Sequence, residues 1–82
     1  MVNNQFMDKE KSVALKRLGE KIKELRQQRG IAGHELSRML GKEVSYITTV
    51  EQGKLNIGWW TLLELCECLG ISMQELVGHV LK

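Results

Sequence analysis

Apolar residues recur along the first third of the chain at the three- and four-residue steps of an amphipathic helix. The apolar stripe has charged residues between its members and consists of Leu15, Leu18, Ile22 and Leu25. Gly30 follows the stripe and is the kind of residue that ends a helix in the left-handed conformation. We predict a first helix that ends at Gly30 and begins as early as Asp8, its candidate N-cap, after seven frayed residues.

Two short apolar patterns follow, and a glycine closes each of them. The first predicts a helix over residues 32–40 that stops at Gly41, and the second predicts a helix over about residues 44–52 that stops at Gly53. The inward positions are Leu36, Met39 and Leu40 in the first helix, and Ile47 and Val50 in the second. Two short helices joined by so tight a turn, with a glycine at its start, are typical of a helix-turn-helix arrangement.

A wide apolar face that ends at Gly70 predicts a fourth helix; its members are Trp59, Leu62, Leu65, Cys66 and Leu69. Ser72 and Glu75 then have the spacing of a capping box, in which each side chain satisfies a backbone N–H group of the other residue. A fifth helix starts there and carries the apolar residues Leu76, Val77, Val80 and Leu81. Because the chain has no proline and no alternating strand pattern, the predicted fold class is all-α, with five helices and no sheet.

Length and composition are those of one small globular domain. A fold of 82 residues buries only about 60% of the surface that its unfolded chain exposes, so dimerisation is an expected source of further stability. We assign residues 1–11 to a flexible or helix-extending segment and residues 12–82 to the domain. Within it, the helix-turn-helix covers about residues 32–52, and helices four and five cover about residues 59–81.

Charge is distributed unevenly between the two halves of the chain. Residues 1–42 carry ten Lys or Arg and five acidic residues, whereas residues 43–82 carry two and five, although the net charge is only +2. A basic half suits a nucleic-acid partner, because phosphates supply most of the non-specific affinity. A solvated helix face explains the same asymmetry, so charge alone leaves both interpretations open.

Several classes of site and location are disfavoured by the sequence. Cys66 and Cys68 are two apart on a helix, which directs their side chains to separate faces, and neither forms a zinc-site spacing with His34 or His79. The same histidines lack a nucleophile at catalytic spacing. No apolar run is long enough for a membrane span, and the polar start is unlike a signal peptide. We therefore expect a cytoplasmic protein that is not an enzyme and has no metal, cofactor or membrane partner.

Four segments of the chain occur in a characteristic order and spacing, and read LGEKIKELRQQRG, HELSRMLG, SYITTVEQGK and TLLELCECLGIS. Together they resemble the Cro and lambda-repressor-like domains, which are the Xre-type helix-turn-helix regulators. The resemblance runs from about Leu18 to Leu76. It implies a five-helix DNA-binding domain and a transcriptional regulator.

The resemblance also implies roles for individual residues. It implies a structural ion pair between Arg26 and Glu51, and a partly buried carboxylate needs such a partner because an unpaired buried charge costs several kcal/mol; two solvated charges are the alternative. The implied base-contacting residues are Val44, Ser45, Thr48 and Thr49. Candidate phosphate contacts are Arg38, Lys42, Lys54 and Asn56. Each of the lysines and the arginine is equally compatible with a plain surface role.

The chain departs from the family pattern around the helix-turn-helix. The family starts the second helix with Ser or Thr and then a Gln that grips phosphate and braces the recognition helix, but here these positions hold Ala32 and Gly33. Glu43 puts negative charge near the expected reading face, although it also suits a helix N-terminus. Ile57 occupies the place of a common loop proline. These changes weaken the prediction of tight DNA binding more than the prediction of the fold.

The two tryptophans receive different interpretations. We predict that Trp59 packs in the core, whereas Trp60 falls at a polar surface position of the family and marks a contact surface unless it folds down onto its own domain. The predicted dimer interface consists of Trp60, Leu63, Val77, Val80 and Leu81.

Two functions follow for this chain. The first is a sequence-specific transcriptional regulator that acts as a repressor. It would bind a palindromic operator on double-stranded DNA as a homodimer. The alternative is a helix-turn-helix scaffold used mainly for protein contact, as in an antitoxin or anti-repressor, with weak DNA binding.

Overall fold

The computed structural model describes residues 4–78 and residue 80, with side chains from residue 9 onward. Its elements are five helices: α1 (Asn4–Gln28), α2 (Gly33–Met39), α3 (Tyr46–Glu51), α4 (Trp59–Leu69) and α5 (Met73–Val77). The described part contains no strand, so the predicted all-α fold is confirmed. No helix in this part is both long enough and apolar enough to cross a membrane.

Helix boundaries follow the sequence pattern closely, with two differences at N-termini and one at the end of α5. Helix α5 ends at Val77 and not near residue 81, so Val80 lies in a turn after it. Helix α1 already begins at Asn4, so Asp8 lies inside it and is not its N-cap. Helix α3 begins at Tyr46, which leaves Val44 in the preceding turn instead of in the helix. The four glycines predicted to end helices all have positive φ angles, between 66° and 76°. The Ser72–Glu75 capping box is confirmed, with both N–H···O distances at 3.1 Å.

The core lies where all five helices meet and is built almost entirely from aliphatic side chains. The largest of its fully buried side chains are Ile22, Leu36, Ile47, Leu65 and Leu76. Val80, which we assigned to a dimer interface, is also buried in this core, and Val77 is half-buried against it. His79 and Leu81 lie outside the described residues.

Two residues predicted to be inward are exposed. Met39 is 52% exposed because the buried face of α2 is centred on Leu36, Ser37 and Leu40, and residue 39 falls outside that arc. Trp59 is 66% exposed. It is the first residue of α4, where side chains tilt toward the N-terminus and therefore point past the end of the helix. Ile57, which precedes α4, is buried in the core instead.

Helix α1 crosses the end of α3 at an unusually close distance, and two glycines permit it. Gly19 is buried in the middle of α1, and a Cβ atom there would overlap the Glu51 carbonyl oxygen and lie 2.7 Å from the Val50 oxygen. On the other side, a Cβ atom at Gly53 would lie 3.1 Å from the Lys16 Cα atom. The backbones of α1 and α3 are therefore in direct contact, which fixes α3 relative to the longest helix.

Candidate nucleic-acid interface

Helix α3 has only six residues, too few to be stable in isolation, so its neighbours must hold it in place. Ile47 and Val50 anchor one face of α3 in the core, where they are 0% and 1% exposed. The opposite face and the preceding turn remain at the surface. The position of this outer face is therefore set by contacts to α1 and α2.

An ion pair fastens the carboxyl end of α3 to α1. The Arg26 guanidinium donates from Nε and Nη2 to the two Glu51 carboxylate oxygens at 2.8 and 3.0 Å, and from Nη1 to the Ile31 carbonyl oxygen at 2.7 Å. The Arg26 and Glu51 side chains are only 12% and 8% exposed, so these are not two solvated charges. The hydrogen bonds to Glu51 raise the pKa of Arg26 further above its usual value, although burial opposes the shift. This two-pronged contact resists rotation of α3 as well as translation.

A buried serine on α2 joins that helix to the amino end of α3. The Ser37 hydroxyl donates to the Gly33 carbonyl oxygen and accepts from the Ile47 backbone N–H group, and both distances are 2.9 Å. Ser37 is completely buried. Sequence reasoning missed this residue, although a serine inside an otherwise apolar helix face is a signal of a buried hydrogen bond.

The four expected base-contacting residues lie on or just before the outer face of α3. Val44 is 61% exposed, Ser45 and Thr48 are exposed, and Thr49 is half-buried. The Thr49 hydroxyl donates to the Ser45 carbonyl oxygen at 3.0 Å, which leaves only its acceptor lone pairs available to a ligand. Ser45, by contrast, makes no side-chain capping bond to α3.

A cation and an aromatic ring lie beside this face. The Lys42 ammonium is 5.5 Å from the centroid of the Tyr46 ring, in the geometry of a cation–π contact. Burial raises the pKa of the Tyr46 phenol, and a side-chain hydrogen bond with Thr61 in the first turn of α4 offsets part of that shift. The contact holds the Lys42 charge at the amino end of α3.

The remaining candidate phosphate contacts surround the helix-turn-helix at the surface. Arg38 on α2 and both Lys54 and Asn56 in the α3–α4 loop are exposed. Glu43 is exposed too, and its backbone oxygen accepts from the Tyr46 N–H group at 3.0 Å in the turn that starts α3. Of the charged candidates, Lys42 is the one that a contact places at the amino end of α3, and the exposed Glu43 carboxylate follows it directly in the chain.

The start of α2 has Ala32 and Gly33 where the family has its N-cap residue and the Gln that braces the recognition helix. The Glu35 carboxylate accepts from the Ala32 N–H group at 3.1 Å, so half of a capping box remains at the start of α2. A Cβ atom at Gly33 would lie 3.5 Å from the Thr48 hydroxyl oxygen and 3.9 Å from the Arg26 guanidinium carbon. A side chain at position 33 would therefore start beside α3 without a steric conflict.

Two further residues that sequence reasoning missed support this arrangement from outside the motif. Gly19 makes the α1–α3 crossing possible, and its signal was a glycine inside a long helical pattern. The Arg29 guanidinium donates from Nε to the carbonyl oxygen of Leu69, the last residue of α4, and from Nη1 to the Leu25 carbonyl oxygen at 3.2 Å. A cation at that end of α4 is favoured by the helix dipole.

Two cysteines on α4 lie apart from this surface. Cys66 is buried and Cys68 is half-buried, and both thiols are free. Burial raises the pKa of both thiols, and nearby glutamates, Glu75 for Cys66 and Glu67 with Glu64 for Cys68, raise it further. Neither thiol is therefore activated as a nucleophile.

Helices α2 and α3 are short and joined by a tight turn, and α3 has a buried inner face and an exposed outer face. This arrangement defines a helix-turn-helix DNA-binding domain of the lambda-repressor-like class. The family described as "Helix-turn-helix domain" matches residues 17–79 of the chain. The chain therefore belongs to the Xre-like helix-turn-helix transcriptional regulators, a family of DNA-binding proteins.

Curated relatives carry the same domain in proteins of different lengths. The chain is 34% identical over 62 residues to the HTH-type transcriptional regulator y4dJ of Sinorhizobium fredii, an alignment that covers 76% of this chain and 80% of y4dJ. It is 33% identical over 61 residues to the HTH-type transcriptional regulator PuuR of Escherichia coli, covering 74% of this chain and 33% of PuuR. The chain thus spans most of the first relative but only a third of the second. Both relatives are described as HTH-type transcriptional regulators.

Solved structures agree on the fold. The restriction-modification controller protein C.AhdI of Aeromonas hydrophila superposes with a TM-score of 0.74 at 31% identity, covering 79% of this chain and 94% of that one. The clp gene regulator ClgR of Corynebacterium glutamicum superposes with a TM-score of 0.78 at 20% identity, covering 83% and 72%. The second likeness concerns the fold alone.

Proposed function

We propose that this protein is a cytoplasmic transcriptional repressor that binds a palindromic operator as a homodimer. The observation that carries the proposal is the arrangement of α3, whose inner face and both ends are held while its outer face is exposed. Val44, Ser45, Thr48 and Thr49 lie at that exposed side and would read base edges in the major groove. A rigid support of this kind favours reading because little conformational entropy remains to be lost on binding.

The side chains of these four expected base-contacting residues, which we call the readers, limit which bases the domain recognises. Val44 would contact a thymine methyl group, and the Ser45 hydroxyl would donate or accept at several bases. The Thr49 hydroxyl proton is already bonded to the Ser45 carbonyl oxygen, so Thr49 would accept from the amino group of adenine or cytosine. No long bidentate reader is present among the four. Discrimination by one domain is therefore modest, and a second half-site would be needed to multiply it.

Phosphate contacts would supply most of the affinity. Lys42, held over the Tyr46 ring, is the best-supported contact, and Arg38, Lys54 and Asn56 would extend the grip along the backbone on either side. Each cation that neutralises a phosphate adds to the salt dependence of binding. Glu43, exposed between them, would reduce the affinity by repulsion.

The exposed tryptophans support a dimer interface on α4. We define the tryptophan surface as Trp59, Trp60 and Leu63, which are 66%, 71% and 37% exposed. Each protomer has two tryptophans, so a dimer would bring four together. About two-thirds of each is still exposed, and a tryptophan buries about 150–250 Å² when fully covered, so the four would supply roughly 400–700 Å², about a third to a half of the ~1,200 Å² of a small stable interface. The half-buried Val77 would contribute at the margin, whereas Val80 is buried in the core and would not take part.

Selection of bound sequences from random duplex, followed by sedimentation equilibrium, tests the proposal. We expect a palindromic motif and a dimer at tens of micromolar. Val44→Ala and Thr49→Ala should change the selected motif, whereas Gln52→Ala, at the exposed opposite end of α3, should leave it unchanged. An unchanged motif in the first two variants would refute the assignment of the readers, and a monomer would refute the dimer.

The tryptophan surface also favours a second function, in which the domain acts mainly by protein contact. Large exposed aromatic surfaces mark contact sites, and Glu43 and Gly33 both weaken the DNA side. Anisotropy titration on generic duplex at increasing salt separates the two functions. A DNA regulator loses affinity steeply as salt rises, whereas negligible binding at low salt would favour a protein partner.

A further inference from the structure

The amino end of α3 differs from those of α2, α4 and α5. The residues before those three helices have extended backbone, with ψ angles of 151°, 158° and 159°, as N-cap residues normally do. Ser45, which precedes α3, has φ −93° and ψ 0°. Its exposed hydroxyl makes no capping bond, although serine is among the best N-cap residues.

The backbone N–H groups at this end obtain their partners from elsewhere. The Tyr46 N–H group bonds to the Glu43 carbonyl oxygen at 3.0 Å, which closes the turn. The Ile47 N–H group bonds to the Ser37 hydroxyl at 2.9 Å, and this bond is buried. The Ser37 side chain on α2 therefore caps the amino end of α3, whereas Ser45 at the N-cap position of α3 does not.

We propose that Ser37 is the positioning residue of the reading surface, because its hydroxyl caps α3 from α2 and so leaves the Ser45 hydroxyl available to DNA. The Ser37 hydroxyl also donates to the Gly33 carbonyl oxygen, so its remaining lone pairs point to α3 in one fixed orientation. The bond thereby sets the separation of the two helices at the point where both approach DNA. This role rests on the proposed function in that it assumes Ser45 contacts DNA.

Loss of the Ser37 hydroxyl has two consequences in this scheme. The Ile47 N–H group would be left buried without a partner, which lowers the folding equilibrium constant by about tenfold. To cap it, Ser45 would have to rotate from ψ 0° toward the extended region, and Val44 and Ser45 would move with it. The reading surface would then lose both its geometry and one hydroxyl.

Hydrogen exchange and DNA binding test the two consequences separately. In Ser37→Ala we expect the Ile47 amide to exchange at least tenfold faster relative to the Val50 amide than in the parent protein. Ser12→Ala, which removes an exposed serine hydroxyl from α1, is the control and should change neither amide. Ser45→Ala should leave both the stability and the Ile47 amide unchanged. A normal Ile47 exchange rate in Ser37→Ala, or a Ser45→Ala variant as unstable as Ser37→Ala, would overturn the capping role.

The DNA arm uses the duplex obtained by selection and a generic duplex of equal length. Ser37→Ala should reduce the ratio of the two affinities by about tenfold, with an unchanged affinity and salt slope on the generic duplex. An unchanged ratio together with fast Ile47 exchange would overturn the positioning role and retain the capping. If the parent protein binds no duplex, the proposed function fails and the positioning role fails with it, while the exchange result still decides the capping.

Discussion

The same substitution, glycine to alanine, is expected to have opposite effects at two positions that both face α3. Gly19 lies in the middle of α1, where a methyl group would overlap the Glu51 carbonyl oxygen and lie 2.7 Å from the Val50 oxygen. Gly33 is the first residue of α2, where a methyl group would lie 3.5 Å from the nearest atom, the Thr48 hydroxyl oxygen. Because Gly33 has no steric conflict, it is a matched control for Gly19.

The magnitudes follow from two opposing terms. Alanine favours a helix interior over glycine by about 1 kcal/mol, and this gain applies in full at Gly19. The methyl group at Gly19 must, however, move roughly 0.7 Å away from the Val50 oxygen to reach ordinary contact, and such overpacking against backbone costs about 1–3 kcal/mol or more. Because the methyl group would overlap backbone atoms of both Val50 and Glu51, the cost falls in the upper part of this range, at about 2–3 kcal/mol. After the gain in helix propensity, we expect Gly19→Ala to destabilise the protein by about 1–2 kcal/mol and Gly33→Ala to stabilise it by about 0.5 kcal/mol.

Thermal and urea denaturation measure both effects. For a domain of this size, about 1 kcal/mol corresponds to a shift of about 4–8 °C in Tm, so the two variants should melt on opposite sides of the parent. The urea m value should not change, since neither substitution alters the surface exposed on unfolding. A Gly19→Ala variant as stable as the parent would refute the close backbone crossing of α1 and α3.

Three other substitutions test the ion pair, the dimer and the missing brace. Arg26→Lys keeps the charge but loses the two-pronged contact to Glu51, so we expect urea denaturation to give a loss of about 2 kcal/mol; a loss below about 0.5 kcal/mol would indicate a solvated pair. Trp60→Ala should raise the dimer dissociation constant at least tenfold in sedimentation equilibrium, with little effect on the monomer, because Trp60 is 71% exposed; an unchanged constant would remove Trp60 from the interface. Gly33→Gln should increase affinity for duplex DNA in anisotropy titrations, because its side chain starts beside Thr48 and Arg26; equal affinity would mean that the brace is not what this chain lacks.

Periodicity predicted the five helices because each has one buried face, and glycine predicted where four of them end. Periodicity failed at Met39, which falls outside the buried arc of α2, and at Trp59, whose side chain points past the first turn of α4. The family resemblance implied the Arg26–Glu51 ion pair, which periodicity alone does not predict. Ser37 and Gly19 were not predicted, since their roles depend on which backbone atoms a second helix brings near them.

These contacts explain how so short a helix is held in one orientation. Six residues supply almost no helical stability of their own, so the orientation of α3 is determined by its neighbours. Gly19 and Arg26 of α1 hold its carboxyl end, while Ser37 of α2 holds its amino end. None of these three contacts uses a side chain of the four expected base-contacting residues, although Thr48 and Arg26 both lie close to Gly33. A change in any of the three contacts would move the four expected base-contacting residues together, so we expect it to alter affinity for every operator.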